Sequence, residues 1–182
     1  MLLEEYRTAF EQAPVGLVIS RDRLMVACNQ QLLGMFRAQH SSQLAGRSFE
    51  LLYPTHEEFE RTGARIVASL DRKGYYADER IMKRLTGELF WCHVSGRALD
   101  PKRPHAAGIW SFEDLSARRK VTAALTARER EIAALLIEGL TSKRIGQKLG
   151  ISPRTVDVYR ARLMRKYGAS TTPELVNKML TA

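Results

Sequence analysis

Apolar positions change their spacing along the chain of 182 residues. Tyr6–Gln12 has helical spacing and stops at Ala13-Pro14. Val15–Ser20 and Leu24–Ala27 are short apolar runs split by Arg21-Asp22-Arg23, which predicts a strand hairpin. Asn29 opens a helix over QLLGMFRAQ, short helical pieces run through Gly46 and Leu52, and a longer helix is expected from about His56 to Leu70. Three strands follow. Tyr75–Leu85 closes on the turn Thr86-Gly87, Leu89–Leu99 ends at Asp100-Pro101, and Ala106–Glu113 comes after a loop with two prolines. Two strands, several helices and three strands make an α+β domain with an antiparallel sheet.

From Leu125 the spacing is helical to the end. Thr126 precedes Glu129 at capping-box spacing, Ile132, Leu135 and Leu136 recur on one face, and Gly139 supplies a stop. Thr141 or Ser142 caps a second helix with Ile145 and Leu149 as its apolar residues, ended by Gly150. Ser152 caps a third helix, with Pro153 at its first position. Two helices joined by a tight turn containing glycine predict a helix-turn-helix. On the third helix Val156, Tyr159, Leu163 and Tyr167 form the stripe expected to pack inward. Arg154, Val158, Ala161, Arg162 and Arg165 fall on the opposite face, with Thr155 and Asp157 at its edges. Most charge runs are only solvated surface. Here the central strip is wholly positive, and Val158 and Ala161 are small and apolar, as suits close approach to base edges and thymine methyls.

At these residues the chain resembles the LuxR/FixJ-type helix-turn-helix family of bacterial transcription regulators. The resemblance rests on LTARERE, the EGL turn, KRIGQKLGIS, PRTV, Lys166-Tyr167-Gly168 and a last helix from about Thr172. The chain departs from it at Tyr159, where His is usual, and at Gly146, where Ala is frequent. The family implies binding to a double-stranded, pseudo-palindromic DNA operator as a homodimer, with RNA polymerase as a further candidate partner. Arg154, Arg162, Arg165 and Lys166 are expected on phosphates or guanines. Thr155, Asp157, Val158 and Ala161 are expected nearest the bases, Ser152 at the helix start, and Lys143 and Arg144 on the backbone. The fourth helix implies dimerisation through Leu175, Val176, Met179 and Leu180, against the plain alternative of ordinary core.

The order of elements over about residues 4–116 resembles a PAS sensor domain. Asn29 after the second strand, LAGRSFELLYP, RLTGELFWCHVSG and the exit EDLSARRK carry the resemblance. It implies a five-stranded antiparallel sheet with a pocket against its helices. Domains are set at 1–116, a connecting helix at 117–125, which is either a lever or a plain connector, and 126–182. By analogy with flavin-binding PAS domains, Met82, Cys92 and Trp110 face the pocket, with Arg80, Val94, Val18 and Ser20 as neighbours. The photoreactive flavin cysteine has no counterpart in Gly46-Arg47-Ser48-Phe49, and no His occurs between Glu57 and Trp91 to hold haem. Both cofactors are disfavoured, and the domain is expected to sense an unidentified small molecule or a partner. The rivals are a ligand-free dimerisation or protein-interaction module and a cofactor-dependent redox or light sensor.

Charge sharpens the division. Net charge is +9, and residues 121–182 hold 11 Lys and Arg against 5 Asp and Glu. The denser charge lies on the helix-turn-helix third, as a phosphate-binding surface requires. No apolar run of spanning length and no signal-peptide pattern predicts a cytoplasmic protein without membrane contact. Cys28 and Cys92 are expected as reduced thiols. Four scattered His and two Cys make no metal pattern, and no acid, base and nucleophile fit together, so an enzyme is not expected.

Overall fold

The computed structural model of the protein describes residues 2–181 apart from 101, 104, 105, 120, 122 and 123, with residues 71–73 described by backbone alone. It divides into two compact units, Met1–Asp114 and Leu115–Ala182.

The first unit begins with helix α1 (Leu2–Glu11) and the hairpin of β1 (Gly16–Arg21) and β2 (Leu24–Cys28). Both residues of the hairpin turn, Asp22 and Arg23, have positive φ, 50° and 62°. That geometry matches the twist of the flanking strands. For an arginine it is unfavourable by roughly 1–2 kcal/mol, and the side-chain contacts described below hold it there. Helix α2 (Gln30–Phe36), two short 3-10 turns and α3 (His56–Lys73) follow. Then come β3 (Tyr76–Lys83), β4 (Leu89–Ala98) and β5 (Ala107–Asp114). The antiparallel sheet has the order β2-β1-β5-β4-β3. The expected elements are all present, with boundaries shifted by a few residues. The two prolines of the loop before the last strand lie outside the described residues.

Side chains alternate across a sheet. Val18 and Ser20, Met82, Phe90, Cys92, Val94, Trp110 and Phe112 share the inward face and are buried with residues of α2 and α3. Two buried polar side chains tie the layers together. Asn29 is fully buried, and its Oδ1 accepts from the amides of Leu17 and Leu32 at 2.9 and 3.0 Å. Its Nδ2 donates to the carbonyls of Phe10 and Val15 at 3.0 and 2.9 Å. One carboxamide therefore joins the end of α1, the start of β1 and the start of α2. Arg84, 3% exposed, bonds the Met35 carbonyl, Glu88 and Asp114, and lies 3.9 Å from the Phe90 ring centroid.

The second unit consists of α4 (Ala127–Ile137), α5 (Ser142–Leu149), α6 (Pro153–Tyr167) and α7 (Thr172–Thr181). Ile132, Ile145, Val156, Leu163, Leu175 and Met179 are fully buried. The expected connecting helix over 117–125 is absent among the described residues. Arg118 and Arg119 both donate their amides to the Leu115 carbonyl, forming a single turn. Lys120, Thr122 and Ala123 of that expected helix lie outside the described residues.

Asn29→Ala leaves two amides and two carbonyls without their partner. With each unsatisfied buried group unfavourable by about 1–3 kcal/mol, the first unit is expected to lose at least 3 kcal/mol in urea unfolding followed by tryptophan fluorescence. A loss under 1 kcal/mol would show that water replaces the carboxamide.

Candidate functional site

In the second unit, α5 and α6 meet at the turn Gly150-Ile151-Ser152. Thr141 accepts from the amide of Arg144 to start α5, and Gly150 ends it at φ 66°. Ser152 accepts from the amide of Thr155 at 3.0 Å and Pro153 follows, as the spacing predicts. Gly146 is needed for the approach of α5 to this turn, since a Cβ there would lie 2.6 Å from the Ile151 carbonyl oxygen. The turn fixes which side of α6 is free. Val156 and Leu163 are fully buried and Tyr159 and Tyr167 half-buried, so the expected inward stripe is the observed one.

Arg154, Thr155, Asp157, Val158, Ala161, Arg162 and Arg165 are exposed, as are Ser152, Lys143 and Arg144 at the neighbouring helix starts. Val158 is 47% exposed, an apolar residue in the middle of a basic strip. The Arg162 guanidinium sits 5.3 Å from the centroid of the Tyr159 ring, which restricts its swing. Asp157 does not project freely. It accepts from Ser142 at 2.7 Å and pairs with Arg160 at 2.9 Å, while Arg160 also donates to Ser142 at 3.1 Å. This three-residue clasp sets α6 against the start of α5, and sequence reading missed Arg160's part in it.

Lys166 is the clearest correction on this face. Its Nζ donates to Glu129 and to the Ala124 carbonyl, both at 2.7 Å. Glu129 is the buried capping-box carboxylate of α4, so Lys166 fastens the end of α6 to the start of α4 rather than standing ready for a phosphate. Leu175 and Met179 are likewise corrected from dimer contacts to core, because α7 turns them into the four-helix packing. Val176 and Leu180 are half-buried and keep some free surface.

In the first unit, an open cavity lies between the sheet and α3. It is lined by Ser20, Arg80, Met82, Val94 and Trp110 of the expected set. Val18 and Cys92 share the inward face but are sealed in the core and do not line it. The missed lining residues are Arg23, Phe49, Tyr53, Phe59, Gly63, Ile66 and Phe112. Phe112 lies two residues beyond Trp110 on the same face, and Phe59, Gly63 and Ile66 recur at helical spacing. Both signals are present in the sequence.

Trp110 forms one wall. Its six-membered ring covers Gly96 on the adjacent strand, where a Cβ would lie 2.2 Å from Cε3. The indole Nε1 donates to Ser20 Oγ at 3.0 Å, and Phe49 packs edge-on against the indole at 6.4 Å between ring centroids. At a second wall Arg80 is held by Asp78 and Tyr53, and Tyr76 donates to Asp78 at 2.6 Å. Burial works against the Arg80 charge, but Asp78 first, then the two tyrosine hydroxyls, more than offset it and keep the guanidinium protonated. Burial raises the Cys28 thiol to about 11 and the Cys92 thiol further still. His56 faces solvent beside Glu50, at 2.9 Å, and His93 lies on the opposite sheet face. Among the described residues no cluster of His, Cys, Asp and Glu could hold a metal ion.

Residues 123–179 match the family model described as bacterial regulatory proteins, luxR family. The PAS domain of a LuxR-family transcriptional regulator from Burkholderia thailandensis, solved in complex with ethanol, is 59% identical. It covers 61% of this chain, the chain covers 97% of that domain, and the TM-score is 0.60. The chain belongs to the PAS-containing regulators of the LuxR family. FixJ of Azorhizobium caulinodans is 51% identical over 63 residues, 35% of this chain and 30% of FixJ. VqmA of Vibrio cholerae, at 20% identity and TM-score 0.57 over 98% of this chain and 90% of its own, shares the fold across both units. The chain spans between 24% and 40% of the length of such curated relatives. Members of the LuxR family are DNA-binding transcription regulators, and the exposed face of α6 lies within the matched segment.

The half-buried Lys166–Glu129 contact has a pH signature. Burial pushes the Glu129 carboxyl up, but the hydrogen bonds from Lys166 and Thr126 outweigh it and hold it below the usual carboxylate range. The contact therefore stabilises the fold fully above the unfolded value of about 4.3 and is lost as pH falls through the lower folded value. Lys166→Met is expected to lower unfolding free energy at pH 7 by about 1–3 kcal/mol and to flatten its acid dependence. Circular dichroism during urea unfolding at a series of pH values checks both. An unchanged acid slope would remove Glu129 from that role.

Gly96→Ala drives a methyl group into the Trp110 ring. A destabilisation of about 1–3 kcal/mol, the usual range for overpacking, is expected, with a shift in Trp110 emission. Wild-type stability with unchanged fluorescence would mean that the indole is not seated on Gly96.

Proposed function

We propose that the chain is a cytoplasmic, homodimeric, non-catalytic regulator of transcription whose PAS unit binds a small organic molecule and thereby controls operator binding. The observation that carries the DNA-binding half is α6. An exposed Val158 and Ala161 stand among Arg154, Arg162 and Arg165, on a helix whose opposite side is sealed by Val156 and Leu163. A second feature supports the same docking. Lys143 and Arg144 occupy the first turn of α5, where the positive end of the helix dipole disfavours cations by about 0.3–1 kcal/mol. A phosphate at that helix start accepts from free amides and offsets part of this positive charge.

In this reading α6 lies in the major groove, Val158 and Ala161 approach base edges, Thr155 stands beside them, and the arginines bind phosphates or guanine. Asp157 stays in its clasp with Ser142 and Arg160 and positions the helix. Val176 and Leu180 are the part of α7 left for a second copy, and a two-fold dimer calls for a pseudo-palindromic site. VqmA is described as a dimer and in complex with ligand and DNA, in keeping with this scheme. RNA polymerase is proposed as the further partner. No helix among the described residues is long and apolar enough to cross a membrane.

For the sensing half, the cavity and the 59% identical domain solved with ethanol support small-molecule access. The buried Cys92 thiol, the solvent-facing His56 and the placement of His93 on the opposite sheet face speak for an organic ligand rather than haem or photoreactive flavin. A thermal-shift screen of a broad metabolite library on the whole chain tests it. A stabilising compound that changes operator affinity is expected. No stabiliser in the library, with operator affinity constant throughout, would reduce the PAS unit to a scaffold.

Arg162→Ala is expected to weaken binding to all sequences and to reduce the slope of log affinity against log salt by about 0.9, the value for one phosphate contact. Val158→Glu is expected to abolish sequence-specific binding while circular dichroism stays unchanged. Fluorescence anisotropy with operator and random duplexes reads both. Normal operator affinity in a folded Val158→Glu protein would rule out this docking face.

A further inference from the structure

The cavity carries a charge pattern that narrows its ligand. Its lining contains two arginines, Arg23 and Arg80, and no acidic residue. Arg80 is already neutralised by Asp78, at 2.7 Å from its Nε. Arg23 is not so fully committed. Its Nη1 reaches half-exposed Glu60 at 3.2 Å, while its Nη2 is buried and makes no hydrogen bond. That Nη2 lies against Gly63, where a Cβ would come within 2.8 Å of it, and Gly63 itself lines the cavity. The guanidinium stacks 4.0 Å from the Phe59 ring centroid, and Phe59 packs against Tyr53, the partner of Arg80. Both cations therefore flank one pair of rings.

A buried cationic donor without an acceptor is unfavourable, and a charge-assisted bond to a carboxylate would satisfy it most strongly. The rest of the lining is apolar and ring-rich, with the Trp110 indole fixed in orientation by Gly96 and Ser20. We propose that the PAS cavity takes a small aromatic monocarboxylate, its carboxylate on Arg23 Nη2 and its ring against Trp110 and Phe112. The proposal rests on the small-molecule sensor reading and specifies its ligand class.

The test is calorimetry on the whole chain with benzoate, benzamide and benzyl alcohol in a buffer free of other carboxylates. Benzoate is expected to bind at least tenfold more tightly than either neutral compound. Arg23→Gln is expected to weaken benzoate at least tenfold and leave the neutral compounds unchanged. Arg23→Lys, which keeps the charge, should recover part of the loss, and Glu60→Gln should not weaken benzoate. Benzamide or benzyl alcohol binding as tightly as benzoate would overturn the carboxylate assignment while leaving the sensor reading intact. Benzoate affinity unchanged in Arg23→Gln would overturn it equally. If none of the three binds, the aromatic carboxylate class fails, and the broad library screen alone then decides whether the unit senses anything.

Discussion

Four hydrogen bonds on one buried carboxamide set the frame of the sensory unit. Asn29 joins the end of α1, the first residues of β1 and the first turn of α2, three segments separated in sequence by a proline and a whole hairpin. Each bond is worth little net in water-exposed settings, about 1 kcal/mol, but the group is fully buried and its loss would strand all its partners together. With β1 fixed at its start, the register of β1 on β5 brings Val18 opposite Trp110 and Ser20 opposite Gly108. The hydrogen bond from the indole to Ser20 follows from that register. So does the position of the hairpin turn, which brings Arg23 to α3. The cavity is thus a consequence of where Asn29 pins the first strand.

The DNA-binding unit rests on a comparable economy of contacts. The clasp of Asp157, Arg160 and Ser142 and the contact of Lys166 with Glu129 hold α6 at its two ends. Between them the apolar stripe of Val156 and Leu163 fixes its rotation. Arg154, Val158, Ala161 and Arg165 stay exposed outside these contacts, which is why arginines and small apolar residues can stand there together. Tyr159 adds a local constraint by restricting Arg162, so the helix offers one of its cations in a narrowed set of directions.

How much of this the sequence discloses depends on the range of the interaction. Strand alternation and helix periodicity are local: within each strand they separate the two sheet faces, the PAS resemblance puts Trp110, Met82 and Val94 on the cavity side, and helical spacing puts Val158 on the outer side of α6. Caps are local too, and Thr126, Ser152 and Asn29 start their helices as the spacing predicts. Lys166 is misread because its partner lies 37 residues away, beyond any periodic signal. Leu175 and Met179 fail as dimer contacts for a related reason, since one helical stripe can face a core or a second copy with the same spacing. The connecting segment stands apart, since three of its residues lie outside the described ones and the described ones are not helical. Arg23 reads from sequence only as a turn residue, and its second task appears once the hairpin meets α3.

That double placement of Arg23 has a consequence for how such a regulator can change. Glycine at the turn would relax the left-handed backbone and make the hairpin sturdier, yet it would remove the guanidinium at the cavity. A lysine keeps charge but loses the flat stacking surface on Phe59. Robustness of the fold and chemistry of the signal are written into one codon and pull it in opposite directions. A lineage that changes what it senses at this position also changes how firmly its first hairpin closes, and the reverse holds as well.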